Sequence, residues 1–152
     1  MTPEQKLNAL GLALPEVPKS VANYVPYKRA GDMLYLSGQG PRRNDGVMHT
    51  GKVGKDVTVK QAYEHAKLVG LGLLAAMKLA AGDLSKVEVI KVLAMVNGVP
   101  DFGEQPAVIN GCSDLFVAVL GERGHHARSA VGMGSLPGNI TVEIEAVCRI
   151  HP

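Results

Sequence analysis

From Ile140 to Ile150 the chain alternates without a break. Ile140, Val142, Ile144, Ala146, Cys148 and Ile150 fall on one side, and Thr141, Glu143, Glu145, Val147 and Arg149 on the other. A period of two sustained this long is a β-strand with one buried face. Upstream, Arg128, Ala130 and Gly132 alternate with Ser129, Val131 and Met133, and Leu136-Pro137-Gly138-Asn139 separates the two segments. The pair reads as two strands joined by a Pro/Gly turn. An arginine on one strand can anchor a carboxylate, and a glutamate on a nearby strand can orient or deprotonate a water. On the residues alone, an Arg and a pair of Glu on strands most often form a solvated face or a surface salt bridge.

The rest of the chain supplies a frame for these strands. Thr2-Pro3-Glu4-Gln5 carries a hydroxyl cap, a proline at the first helical position and Gln in the capping-box place, so a short helix runs from there to Gly11. Residues 1–22 read as this helix plus a connector holding Pro15 and Pro18, and residues 23–152 as a single domain. Tyr24 to Arg29 and Met33 to Ser37 form a hairpin across Ala30-Gly31-Asp32. Gly38 to Asp56 reads as a long loop. A long helix starts at Thr58 and ends near Ala80, closed by Gly82. Its stripe of Ala62, Ala66, Val69, Leu73, Ala76 and Ala80 is small enough to lie close on a sheet, and Gly70 and Gly72 mark close backbone contact. Val87 to Val96 is a strand, and about Glu104 to Leu120 a second long helix ended by Gly121. The order β-β-α-β-α-β-β predicts an α+β fold with both long helices on one face of a mixed sheet.

Composition narrows the partners. At 152 residues and 46% hydrophobic, the chain can bury a sizeable core, and a formal charge of +2 is too small to imply a polyanionic partner. With no Trp, two Phe and four Tyr, a stacking platform for single-stranded nucleic acid is hard to build. No unbroken apolar run reaches membrane-spanning length, and Met1 to Lys6 lacks the apolar core of a signal peptide, so no membrane partner and a cytoplasmic location are expected. Cys112, in a helix, and Cys148, on the buried side of the last strand, read as small buried residues.

Other motifs are weaker. Adjacent His125 and His126 point in different directions on an extended chain, and no spaced Cys or carboxylate set completes a metal site. His65, with Glu64 and Lys67 in the first long helix, reads as a surface group. Gly132-Met133-Gly134 begins like a dinucleotide fingerprint but meets Pro137 where the third glycine belongs. No Gly-x-Ser-x-Gly elbow is present.

The register Ala-Arg-Ser at 127–129, Leu136-Pro137 and Val142-Glu143-Ile144-Glu145-Ala146 resembles the C-terminal signature of the YjgF/RidA superfamily, best known for enamine/imine deaminases. Tyr24-Val25, Gly31 to Gln39 with Pro41, Asp101-Phe102, Asn110 and Phe116 are similar to the family in order and spacing. The resemblance covers roughly 24–150, with insertions around 42–55 and 103–107.

The resemblance implies a chorismate-mutase-like fold and a homotrimer whose uncovered sheet faces pack together, with an active site between subunits. Val131, Met133 and Val147, apolar on the faces opposite their neighbours' buried side, suit such an interface. It also implies roles: Arg128 grips a substrate carboxylate, Glu143 positions water, and Tyr24, Ser37, Asn110 and Ala130 line the pocket. The expected reaction is hydrolytic deamination of 2-imino acids, formed from enamines such as 2-aminoacrylate, to 2-keto acids, with no metal or organic cofactor. A regulatory trimer that binds such metabolites without turnover is the alternative, and a ribonuclease-like activity a more distant one. Two positions depart from the family: Ala130 stands where Cys is common, and His126 where Pro is common.

Overall fold

The computed structural model describes residues 1–19 and 22–152. Helix α1 (Pro3–Ala9) opens on a reciprocal cap: Thr2 Oγ1 accepts from the Gln5 N–H at 3.2 Å, and Gln5 Oε1 from the Thr2 N–H at 2.8 Å. Helix α2 (Val59–Ala81) opens the same way, with Thr58 and Gln61 exchanging bonds of 3.1 and 2.9 Å. Each box satisfies two backbone donors that a helix start leaves without partners. Gly82, at φ 77°, ends α2 in a conformation that a β-carbon disfavours. Helix α3 (Gln105–Leu120) ends at Gly121.

The strands are β1 (Tyr27–Ala30), β2 (Met33–Gln39), β3 (Val87–Asn97), β4 (Ala127–Met133) and β5 (Val142–Ile150). They form one mixed sheet in the order β1-β2-β5-β3-β4, in which only β3 and β4 run parallel. The α+β class and the element order agree with expectation, but the strands carrying Arg128 and Glu143 are not neighbours. β4 leaves β3 through the α3 crossover and lies parallel to it, and β5 then inserts on the other side of β3. The turn at Pro137–Asn139 therefore spans β3 instead of closing a hairpin.

The first hairpin also starts later than its sequence suggests. Tyr24 lies before β1, because Pro26 has no N–H to give a ladder. Instead the Pro26 carbonyl accepts from the Ser37 N–H at 3.0 Å, and the Val25 carbonyl from Ser37 Oγ at 2.5 Å. The connector residues Ser20 and Val21 lie outside the described residues. The 38–56 segment is better ordered than a loop reading implies: Thr50 bridges Ile140, and Val53, fully buried, bridges Val57 and Gly98.

One core fills the space between helices and sheet. Leu34, Leu36, Val92, Ala94, Ile144, Ala146 and Cys148 meet Ala66, Val69, Leu73, Met77, Ile109, Cys112 and Phe116, and Leu7 of α1 belongs to the same cluster. α2 and α3 approach closely where glycines permit. A β-carbon on Gly70 would lie 2.9 Å from Leu115, and one on Gly111 would fall onto the Tyr63 carbonyl oxygen. Gly70 thus serves the helix pair, whereas Gly72 faces the Gln39 carboxamide of β2. The opposite sheet face is uncovered, with Tyr35 49%, Val131 38% and Met133 37% exposed and Val147 half-buried. No helix among the described residues is long and apolar enough to cross a membrane.

Candidate active site

Arg128 stands on edge strand β4 opposite Val92, so alternation sends it, with Ala130 and Gly132, to the helix-covered face. There α3 presents Asn110 and Ser113, three residues apart and hence on one side of the helix. Arg128 Nη2 donates to Asn110 Oδ1 at 2.9 Å, and Nη1 to Ser113 Oγ at 3.0 Å. Ala130, paired with Ala94, packs its methyl group against the core beside them.

Glu143 lies elsewhere. It pairs with Met95, three residues along β3 from Val92, and so projects from the uncovered face. Partial burial, and then the neighbouring Glu145, raise the pKa of its carboxyl above the ordinary value. A carboxylate whose pKa is raised in this way is a stronger base than an ordinary surface glutamate. A β-carbon on Gly38 would come within 3.0 Å of Glu143 Oε2, so the backbone of β2 presses against the carboxylate. Ser37 and Gly38 line a pocket of about 280 Å³ with Tyr24, Lys19, Arg42 and Met48.

The six expected site residues thus fall into two groups. Arg128, Asn110 and Ala130 gather at the β4–α3 contact. Tyr24 and Ser37 share the pocket beside Gly38, which in turn touches Glu143. Within one chain the two groups are separated by β3 and by the sheet itself.

Other polar residues correct the sequence reading. Ser113 carries no signal of its own in the sequence, and His126 stands out there as half of a histidine pair and as a departure from the family pattern, yet the two are hydrogen-bonded at 2.9 Å beside Arg128. The i, i+3 spacing of Asn110 and Ser113 was the available signal. His65 is not a surface group: its ring stacks on His49 at 4.1 Å, and its Nδ1 shares a 2.9 Å hydrogen bond with Thr141 Oγ1. Thr141, assigned by alternation to the side opposite the core, is fully buried, because the strand begins at Val142 and the 38–56 segment folds over the residue before it. Among the described residues no group of three or more His, Cys, Asp and Glu side chains could hold a metal ion.

Chemically, the two groups offer a planar cation suited to a carboxylate and a carboxylate suited to holding a water. The chain is similar in structure to protein Atu1372 of Agrobacterium tumefaciens, whose function is unknown, with 49% identity, a TM-score of 0.90 and coverage of 98% of this chain and 94% of that one. It is 40% identical over 147 residues to protein TCP17 of Trypanosoma cruzi, covering 95% of this chain and 92% of that protein. It is 28% identical over 141 residues to the 2-iminobutanoate/2-iminopropanoate deaminase of Dermatophagoides farinae, covering 92% and 95%. Residues 4–148 match the family model described as "YjgF/chorismate_mutase-like, putative endoribonuclease". A match of that extent settles the family: the chain belongs to the YjgF/chorismate-mutase-like proteins, the YjgF/RidA superfamily.

Proposed function

We propose that this protein hydrolyses 2-imino acids to 2-keto acids and ammonia, as a cytoplasmic homotrimer whose active sites lie between subunits. The observation that carries this reading is the pairing of a guanidinium anchored on one sheet face with a raised-pKa glutamate on the other. Each is half of a hydrolytic site, and a neighbouring copy supplies the missing half. The exposed apolar residues around Tyr35, Val131 and Met133 give that copy a surface to cover. The deaminase name of a relative agrees with the chemistry.

Arg128 spends two of its five N–H groups on α3 and keeps the others for the substrate carboxylate. The C=N carbon beside that carboxylate is electrophilic. Glu143 of the adjoining subunit accepts a proton from water as its oxygen bonds to that carbon, and the imine nitrogen takes up a proton. The carbinolamine then collapses: its hydroxyl proton passes to the amino nitrogen, the C–N bond breaks with its electron pair going to that nitrogen, and ammonia departs from a 2-keto acid. No metal or organic cofactor enters these steps.

The deciding experiment is ammonia release from freshly generated 2-aminoacrylate and from bulkier imino acids, with and without the protein. Arg128→Ala should lower kcat/KM by about 10- to 150-fold, because each charged hydrogen bond lost is worth roughly 1.5 to 3 kcal/mol. Glu143→Gln should lower turnover while 2-ketobutyrate still binds. Tight keto-acid binding with no ammonia from any imino acid would instead mark a metabolite-binding regulator, and full activity in both variants would remove the site.

A further inference from the structure

The site described above leaves His126 and Ser113 without a role, yet Ser113 meets the guanidinium and His126 meets Ser113. Ser113 Oγ accepts from Arg128 Nη1 at 3.0 Å and lies 2.9 Å from His126 Nε2. On the other side of the ring, His126 Nδ1 stands 2.6 Å from the Gly124 carbonyl oxygen. A carbonyl only accepts, so Nδ1 carries the hydrogen. Burial lowers the pKa of the ring and favours its neutral form, which leaves Nε2 as an acceptor. Ser113 then donates its O–H to His126 and turns its lone pairs to Arg128. Every donor in the series has one direction, running from the guanidinium to a backbone carbonyl.

The far end of the series is rigid. Gly124 is buried, and a β-carbon there would collide with the Phe116 carbonyl, so its backbone sits directly on α3. Phe116 packs edge-on against the His126 ring at 5.8 Å and fixes its plane. Asn110 holds the second terminal nitrogen. A free arginine side chain samples many rotamers, and one tethered at both arms loses less freedom when an anion binds.

We propose that His126 and Ser113 are positioning residues that hold Arg128 in the orientation in which it meets the substrate carboxylate. This rests on the reading of Arg128 as the carboxylate anchor. Neither side chain touches the reacting carbon, so their removal should weaken binding more than chemistry.

The test combines the affinity for 2-ketobutyrate, measured by titration calorimetry, with steady-state deamination of 2-iminobutanoate. Ser113→Ala and His126→Ala should each raise Kd and KM about 10-fold while kcat changes by less than about twofold. His126→Gln can donate to Gly124 and accept from Ser113, and should recover most of the loss. In nitrogen-15 spectra, the Arg128 guanidinium should rotate slowly in the wild type and faster in Ser113→Ala. Wild-type Kd and KM in Ser113→Ala and His126→Ala, alongside lost binding in Arg128→Ala, would overturn the positioning role and leave the anchor standing. Unchanged binding in Arg128→Ala would overturn the anchor and the positioning role with it. Equal losses in His126→Gln and His126→Ala would also reject the hydrogen-bond series.

Discussion

Arg128 pairs with Val92 and Glu143 with Met95, three residues apart on the strand between them, so their side chains leave opposite faces of one sheet. Two strand spacings of about 4.8 Å and three residues of about 3.3 Å put the two backbone positions about 14 Å apart. In the proposed reaction, which uses both residues on one small substrate, they would come from different copies of the chain. The consequence is subunit complementation. Arg128→Ala and Glu143→Gln proteins, each impaired alone, should regain about a quarter of the wild-type sites, and activity above that of either parent, when unfolded together and refolded as a random 1:1 mixture. No recovery from a mixture proven to contain mixed oligomers would place both residues' work within one chain, or in no shared site.

The buried side of β5 can be tested separately. Cys148 is fully enclosed between β2 and β3, pairing with Leu34 and Val89, and burial pushes its thiol up to about 12. Cys148→Ser should cost on the order of 1 to 3 kcal/mol, because the hydroxyl loses water without gaining good partners. Denaturant unfolding measures this directly, and turnover of the folded fraction should be nearly unchanged.

Elements whose signals are local were legible in the sequence. The capping box at Thr2, the helix start at Thr58, the glycines at 82 and 121 and the alternation of 140–150 each act within a few residues; the structure reproduces them, with the last strand beginning at Val142. What depends on crossing strands was not. The Leu136 to Asn139 turn has the chemistry of a hairpin, but the insertion of β3 between β4 and β5 is decided by the α3 crossover. The Arg128–Ser113–His126 contact joins α3 to a loop and a strand, and a neutral histidine paired to a serine leaves no compositional mark. Thr141 and His65 were misassigned for the same reason: the 38–56 segment that covers them carries no periodicity that forecasts where it folds back.

Gly111 is the tightest point of the helix pair. Its Cα faces the backbone of α2 at Tyr63 and Lys67, and an added β-carbon would overlap the Tyr63 carbonyl. Backbone cannot yield as a flexible side chain can, so Gly111→Ala should force the helices apart and cost about 3 kcal/mol or more. Gly103→Ala, which meets open space, is the matched control and should stay within about 0.5 kcal/mol of wild type. Equal melting temperatures for the two variants would contradict the α2–α3 packing.

His65 predicts how stability responds to acid. Its half-buried ring lies against His49 and Thr141, and burial, followed by the neighbouring His49, lowers its pKa from 6.5 to about 4. Below pH 6.5 the unfolded chain takes up a proton on this ring that the folded protein refuses until about pH 4. The unfolded state thus binds more protons across that window, so stability falls as pH drops through it and levels off below. The full shift would correspond to about 3 kcal/mol at 1.36 kcal/mol per unit, and solvent at a half-exposed ring reduces this to about 1 to 2 kcal/mol. His65→Gln can keep a hydrogen bond to Thr141 but cannot take up that proton. Urea unfolding at pH 7, 5.5 and 4 should show a shallower acid loss in the variant by that amount. Parallel losses in the two proteins would mean that the ring takes up its proton in the folded state as freely as in the unfolded chain, and that the stack on His49 does not hold in solution.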